Sequence, residues 1–203
     1  MAKQNIYDNE IFFEGYKKIR DNEANANNLF EIPALFSMMP DLTGKRVLDL
    51  GCGFGEHCMR CIRQGAEKVV GIDISEKMLE VARKEHSDAG ITYVNMPMED
   101  FSGVVRNIYD LLEPGGNFIF SQENPLCTCH SGENRWTRNE NGEKLYLNLA
   151  NYGVEGERES VWFVDNVKKY HRTFSTIINT LIEAGFTVEK MIEPLPDDEL
   201  LEK

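Results

Sequence analysis

The chain has 203 residues, 41% of them hydrophobic and 28% charged, which suits one domain with a sizeable core and excludes disorder, collagen-like repeats and a small disulfide scaffold. Lys and Arg number 22 against 34 Asp and Glu, a net charge of −12, which disfavours nucleic acid and anionic membrane as partners. No apolar run approaches the roughly 20 residues that span a bilayer, and the start MAKQNIYDNE lacks a signal-peptide core, so the expected location is the cytoplasm.

Residues 6–40 are helical in pattern: Phe12, Phe13, Tyr16 and Ile19 recur at helical spacing, followed by Leu29, Ile32, Leu35 and Phe36. Pro33 opens the later helix and Pro40 closes it. From residue 45 short apolar runs alternate with helices. Strands are predicted at 46–50, 68–72, 91–94 and 117–120, with helices at 56–64, from the Ser75 cap through Ala82, and at 104–112. Such alternation implies right-handed βαβ crossovers and an α/β fold, a Rossmann-like parallel sheet with helices on both faces. Residues 121–170 break the pattern with a polar loop and extended runs at 145–149 and 161–164, the signature of an insert, or lid, at the ligand end of the sheet. A helix over 173–184, stopped by Gly185, and a last strand over 186–192 follow. The expected organisation is one domain, 1–203: a helical cap (1–41), a cofactor-binding core (45–120), the insert (121–170) and a C-terminal helix and strand (171–203).

Val47-Leu-Asp-Leu-Gly-Cys-Gly-Phe-Gly55 sets a glycine-rich turn between a buried strand and a helix, where a ligand can lie against backbone N–H groups. A nicotinamide fingerprint wants a third Gly three residues after Gly53, and Glu56 stands there. Asp73 ends the next strand, about twenty residues on, where a carboxylate accepts both ribose hydroxyls. Asp49 puts an anion beside the turn, which suits a ligand carrying ammonium and sulfonium groups better than a pyrophosphate.

Together with GIDISEKML, NMPMED, VVRNIYDLLEPGGNFIFS and YHRTFSTIINTLIEAGF, this motif resembles the class I S-adenosylmethionine-dependent methyltransferases, in particular the bacterial small-molecule enzymes. The resemblance implies S-adenosyl-L-methionine as cofactor and a small-molecule methyl acceptor as partner. It places Asp49, Gly51 and Gly53 at the methionine moiety, with Cys52 in the same turn. Asp73 is placed at the ribose with Ile74 beside it, and Met98 and Glu99 at the adenine. Tyr16 and Arg20 close over the cofactor, Arg20 pairing with its carboxylate.

The chain departs from the family pattern after NMPMED: Phe101-Ser-Gly-Val-Val-Arg already belongs to the next helix, so a central strand and its lead-in are missing, as is the C-terminal antiparallel strand. Five parallel strands in the order 3-2-1-4-5 still satisfy the crossover rule. An incomplete sheet leaves an open edge, so a homo-oligomer, strand-exchanged in one form, is expected.

Methyl transfer from a sulfonium needs alignment above all, and a hydroxyl or ammonium acceptor also needs a base. His171 is the first candidate and His130 the second; capping or packing at the helix start is the structural reading of His171 beside the catalytic one. Glu123 follows the fourth strand, where relatives place substrate-facing residues, and Trp136, Tyr146, Tyr152 and Trp162 form either an acceptor pocket or the insert's own core. The five cysteines read as free thiols. Cys58-x-x-Cys61 and Cys127-x-Cys129-His130 have zinc-like spacing, but nothing brings the two groups together, and no metal is expected. A protein that binds the cofactor without catalysis is the alternative to a methyltransferase.

Overall fold

Three runs of mainly branched apolar residues, Arg46–Leu50 (β1), Lys68–Asp73 (β2) and Ile91–Asn95 (β3), pair in parallel in the order β1-β2-β3. The chain is described by a computed structural model covering residues 5–98, 100–130 and 136–195. Val47 faces Val69 and Leu50 faces Ile72 across one ladder, and Asp73 faces Asn95 across the other. Parallel neighbours need a crossover, supplied here by α3 (Glu56–Arg63) and α4 (Glu76–Glu85). The turn at 51–55, Asp73 and residues 96–98 therefore all leave the sheet from the same, C-terminal edge. Cys58 and Cys61 of α3 and Leu79 of α4 join Leu42, Cys52, Ala66 and Val69 in the core beneath it.

Two compact units divide the chain: Met1–Val104 with Leu112–Ile119 and Ile192–Lys203, and Val105–Leu111 with Phe120–Met191. In the first, a short 3-10 turn (Ile6–Asp8) leads into α1 (Glu10–Arg20), and a π-helical turn (Asn27–Glu31) leads into α2 (Ile32–Ser37). Asn9 caps α1 by accepting the Phe12 N–H, and Pro33 sits in the first turn of α2, where its missing N–H costs nothing. α5 (Phe101–Leu111) buries Val105 and Ile108.

The second unit contains α6 (Pro125–Thr128), an antiparallel pair β4 (Trp136–Arg138) and β5 (Lys144–Leu147), and a longer hairpin of β6 (Gly156–Trp162) and β7 (Val164–His171). The hairpin turns at Phe163, whose φ of 61° is unusual for an aromatic residue. α7 (Phe174–Ala184) is capped by Thr173 and stops at Gly185, where φ is 105°. The Tyr109 ring presses on that glycine: a Cβ there would lie 2.6 Å from Tyr109 Cζ.

The sheet has three strands among the described residues, not the five expected in the order 3-2-1-4-5. Segments 117–120 and 186–192 make no sheet ladder. An apolar run becomes a strand only beside a strand that accepts its ladder, and no described segment pairs with 117–120 or 186–192 in this way. β1 is consequently an edge, and its Leu48 is 42% exposed, whereas β2 between two neighbours buries four of its six residues.

Candidate cofactor site

The turn after β1 folds back on the end of β2 through its own backbone. The Gly51 and Cys52 N–H groups both donate to the Ile72 carbonyl, at 2.7 and 3.0 Å. The Gly53 N–H donates to Asp73 Oδ2 at 2.9 Å, and the Ser75 N–H to Asp73 Oδ1 at 2.8 Å. Gly51, Gly53 and Gly55 all have positive φ, between 51° and 80°, which is what this tight reversal requires of them. Asp73 is thus oriented by two backbone donors, and each of its oxygens keeps a lone pair with which to accept a hydroxyl. The Met98 side chain lies over the turn, its Cε 3.7 Å from where a Cβ on Gly51 would stand, and it is exposed.

Asp49, half-buried on β1, accepts the Cys58 thiol at 3.2 Å. Burial pushes its carboxyl above the ordinary range and the Asp73 charge adds to this, while His57 and the thiol act in the opposite direction. A carboxylate in that position gains from a cationic ligand. The Cys58 thiol is itself pushed far up by its contact with Cys52, by burial and by Asp49, and Cys61 to about 11, chiefly by burial. These are inert core thiols. Among the described residues no group of three or more His, Cys, Asp or Glu is placed to hold a metal.

The N-terminal segment lies over this edge. Phe13 and Tyr16 of α1 meet Phe54 of the turn at ring separations of 5.9 and 6.0 Å, and Tyr7 packs edge-on to Tyr16 at 5.5 Å. Asp8 fastens the segment: one carboxylate oxygen accepts the Ser75 hydroxyl at 2.6 Å and the Lys77 N–H at 3.3 Å, the other the Asn5 amide at 2.6 Å. A carboxylate at the start of α4 is favoured by the helix dipole. Burial pushes the Tyr7 hydroxyl up to about 12, with Tyr16 and Asp73 adding. Burial raises Tyr16 as well, Arg20 opposing and Glu31, Glu56 and Asp73 adding. Arg20, almost wholly buried, pairs with Glu56.

Of the expected residues, Tyr16, Arg20, Asp49, Gly51, Cys52, Gly53, Asp73, Ile74 and Met98 all belong to the first unit. The Ile74 carbonyl accepts the Asn5 and Asn95 amides at 3.2 and 2.9 Å. Glu99 lies outside the described residues. Phe54, Asp8 and Asn95 join the site without having been singled out. The signal for Phe54 was there, since the aromatic face of α1 needed an apolar partner; an exposed-looking Asp8 67 positions from Ser75 carried none. His57, on the first turn of α3, has its Nε2 buried without a hydrogen-bond partner.

The two histidines belong to the second unit. His171 is wholly buried, with Nδ1 2.8 Å from Thr128 Oγ1 and Nε2 2.8 Å from the Tyr152 carbonyl. A carbonyl only accepts, so Nε2 carries a proton, and both ring nitrogens serve the fold. These contacts fit the reading of His171 as a residue that packs at the helix start, the alternative weighed beside its role as base. His130 follows α6 and is half-exposed. Tyr152 packs edge-on to His171 at 5.6 Å and accepts the Phe174 N–H, while Tyr146 is 60% exposed.

A parallel α/β sheet with a glycine turn after its first strand and an acid at the end of its second defines a nucleoside-binding protein of the Rossmann-like class. A sequence profile described as a methyltransferase domain matches residues 47–112. The structure of an S-adenosylmethionine-dependent methyltransferase from Mesorhizobium loti superposes with a TM-score of 0.75 at 34% identity, covering 89% of this chain and 90% of that one. A Listeria monocytogenes structure assigned provisionally to the same activity gives 0.76 at 36%, covering 84% and 86%. A Haemophilus influenzae protein of uncharacterized function is 37% identical over 225 residues, which take in 97% of this chain and 89% of the relative. The chain belongs to the S-adenosylmethionine-dependent methyltransferase family, and S-adenosyl-L-methionine is its cofactor. The alignment with the Haemophilus protein spans 225 positions against 203 residues here, so at least 22 of them have no counterpart in this chain. Among the described residues no helix is long and apolar enough to cross a membrane.

Proposed function

We propose that the protein transfers the methyl group of S-adenosylmethionine to a small-molecule acceptor by in-line displacement. The observation that carries this reading is the Gly53–Asp73 hydrogen bond, which holds the turn and the ribose-binding acid as one preformed unit. When bound, the cofactor supplies an electrophilic methyl carbon and a sulfide leaving group.

The chain supplies binding and orientation. Asp73 accepts the ribose hydroxyls, with Ile74 beside it; Gly51, Cys52 and Gly53 leave room for the methionine moiety; Asp49 faces its positive charges. Met98 and Glu99 flank the adenine. The aromatic cover of Tyr7, Tyr16 and Phe54 excludes water, and Arg20 turns from Glu56 to share the cofactor carboxylate. His171 and His130 are the candidates for proton removal from a hydroxyl or ammonium acceptor, both ring nitrogens of His171 being hydrogen-bonded within the fold. The net charge of −12 supports a small molecule over a nucleic acid as acceptor.

Incubation with methyl-labelled cofactor and a fractionated extract tests the acceptor class. Label in the low-mass fraction, with equimolar S-adenosylhomocysteine, is expected. Label confined to protein or RNA contradicts the small-molecule reading. The three-stranded sheet favours a second reading, a protein that binds the cofactor without turnover; it predicts tight binding and no S-adenosylhomocysteine formed from any fraction.

A further inference from the structure

Three cationic residues contribute to the lining of one concavity of the second unit, in a chain whose overall charge is −12. Lys168, Lys169 and Arg172 line a cavity of about 280 Å³ together with Gln122, Thr128 and Tyr170, and Glu123 is the only carboxylate in its lining. That volume is near the lower end of the range for small-ligand sites, roughly 300–1,000 Å³.

The cations are held in place by their surroundings. Lys169 pairs with Glu123 at 2.7 Å and lies 5.7 Å from the Trp162 ring. Lys168 pairs with Glu157 at 2.8 Å, and the Arg172 guanidinium lies 5.9 Å from the Tyr170 ring. The paired N–H groups of a guanidinium match the geometry of an oxyanion. Both lysine pairs are solvent-accessible, 28–41% by side chain, and such pairs contribute little, so a ligand oxyanion displaces them cheaply. Beneath them Thr128, itself buried, is anchored to His171 at 2.8 Å, which gives the cavity a fixed floor.

We propose that this cavity binds a small molecule bearing an oxyanion group, carboxylate or phosphate. The proposal does not depend on the methyltransferase reading above. The insert thus carries its own charge-selective site.

The test uses the full chain and two probes, inorganic phosphate and glutarate, each titrated calorimetrically at low salt into the wild type, Lys168→Gln/Arg172→Gln, Lys169→Gln and, as a control elsewhere in the second unit, Lys144→Gln. Saturable one-to-one binding of at least one probe to the wild type and to Lys144→Gln is expected. A loss of roughly tenfold or more is expected in both cavity variants, the change that follows from removing one charge-assisted contact. Phosphate binding alone identifies a phosphoryl ligand, glutarate binding alone a carboxylate. No saturable binding, or equal affinity in all variants, overturns the proposal. S-adenosylhomocysteine titrated into the same samples separates the two ideas: its binding stands or falls with the first unit, whatever the anions do.

Discussion

Gly53 and Gly55 sit two residues apart in the same turn with positive φ, yet they answer different demands. Nothing lies within 4 Å of a Cβ built on Gly53, whereas a Cβ on Gly55 would lie 2.2 Å from the Tyr93 hydroxyl oxygen. Gly53→Ala should therefore cost only the strain of a left-handed residue, about 1–2 kcal/mol, while Gly55→Ala should cost distinctly more by urea denaturation. The Tyr93 hydroxyl donates to the His86 carbonyl at 2.7 Å and cannot swing away freely. Adding Tyr93→Phe to Gly55→Ala should recover part of the loss, and no recovery would show that the clash is not the cause. Tyr7 gives a pH signature at the same scale. Its hydroxyl, raised from 10 to about 12 in the fold, binds its proton more tightly folded than unfolded. The resulting stability, about 2–3 kcal/mol, is fully present below pH 10 and lost as pH rises towards 12. Tyr7→Phe should flatten that decline in denaturation measured between pH 9 and 12.

Among the elements, α4 shows how a distant segment is tied to the site. Ser75 accepts the Met78 N–H at 3.1 Å and donates to Asp8. The cap was legible in the sequence because Ser immediately precedes an amphipathic run; the Asp8 contact was not, because tertiary pairing leaves no local pattern. Asp8→Ala should destabilise the chain by about 1–2 kcal/mol and weaken S-adenosylhomocysteine binding by loosening Tyr7 and Tyr16, with Ser75→Ala costing a similar amount. The insert shows the opposite limit. Its extended runs were visible, but the β6–β7 hairpin turns at Phe163, a residue no turn rule favours, and so the pairing and the burial of His171 at its end were hidden. His171→Ala should cost about 3–5 kcal/mol, from the cavity and the two stranded hydrogen-bond partners, while S-adenosylhomocysteine affinity is unchanged in the folded fraction. A variant that keeps full stability but loses turnover would favour the catalytic role. Glu155 is held down at about 2 by the Thr176 hydroxyl and by the N–H and hydroxyl of Thr173 at the start of α7. Its small, exposed contribution is present above pH 4.5 and fades as pH falls towards 2.

For the molecule as a whole, the cofactor half was readable because a βαβ unit compresses its chemistry into contiguous motifs: strand, turn, helix, strand, acid. Residues 117–120 and 186–192 read as strands on composition alone, and they are not, because a strand is defined by a neighbour and none among the described residues pairs with them. The same deficiency leaves β1 with an open edge and Leu48 exposed. Open edges of this kind pair with other chains, so light scattering at micromolar concentration should give a mass above 23.2 kDa, that of one chain; a clean monomer would remove the edge as an association site. The turn and Asp73 of the first unit are expected to suffice as a cofactor site even though the sheet stops at β1. Calorimetric titration of the intact chain with S-adenosylhomocysteine, beside Asp73→Ala and Asp73→Asn variants shown to be folded by circular dichroism, tests it most directly. One-to-one binding by the wild type, lost in Asp73→Ala and weakened in Asp73→Asn, is the expected result; no binding by the folded wild type, or equal binding by all three, would contradict it.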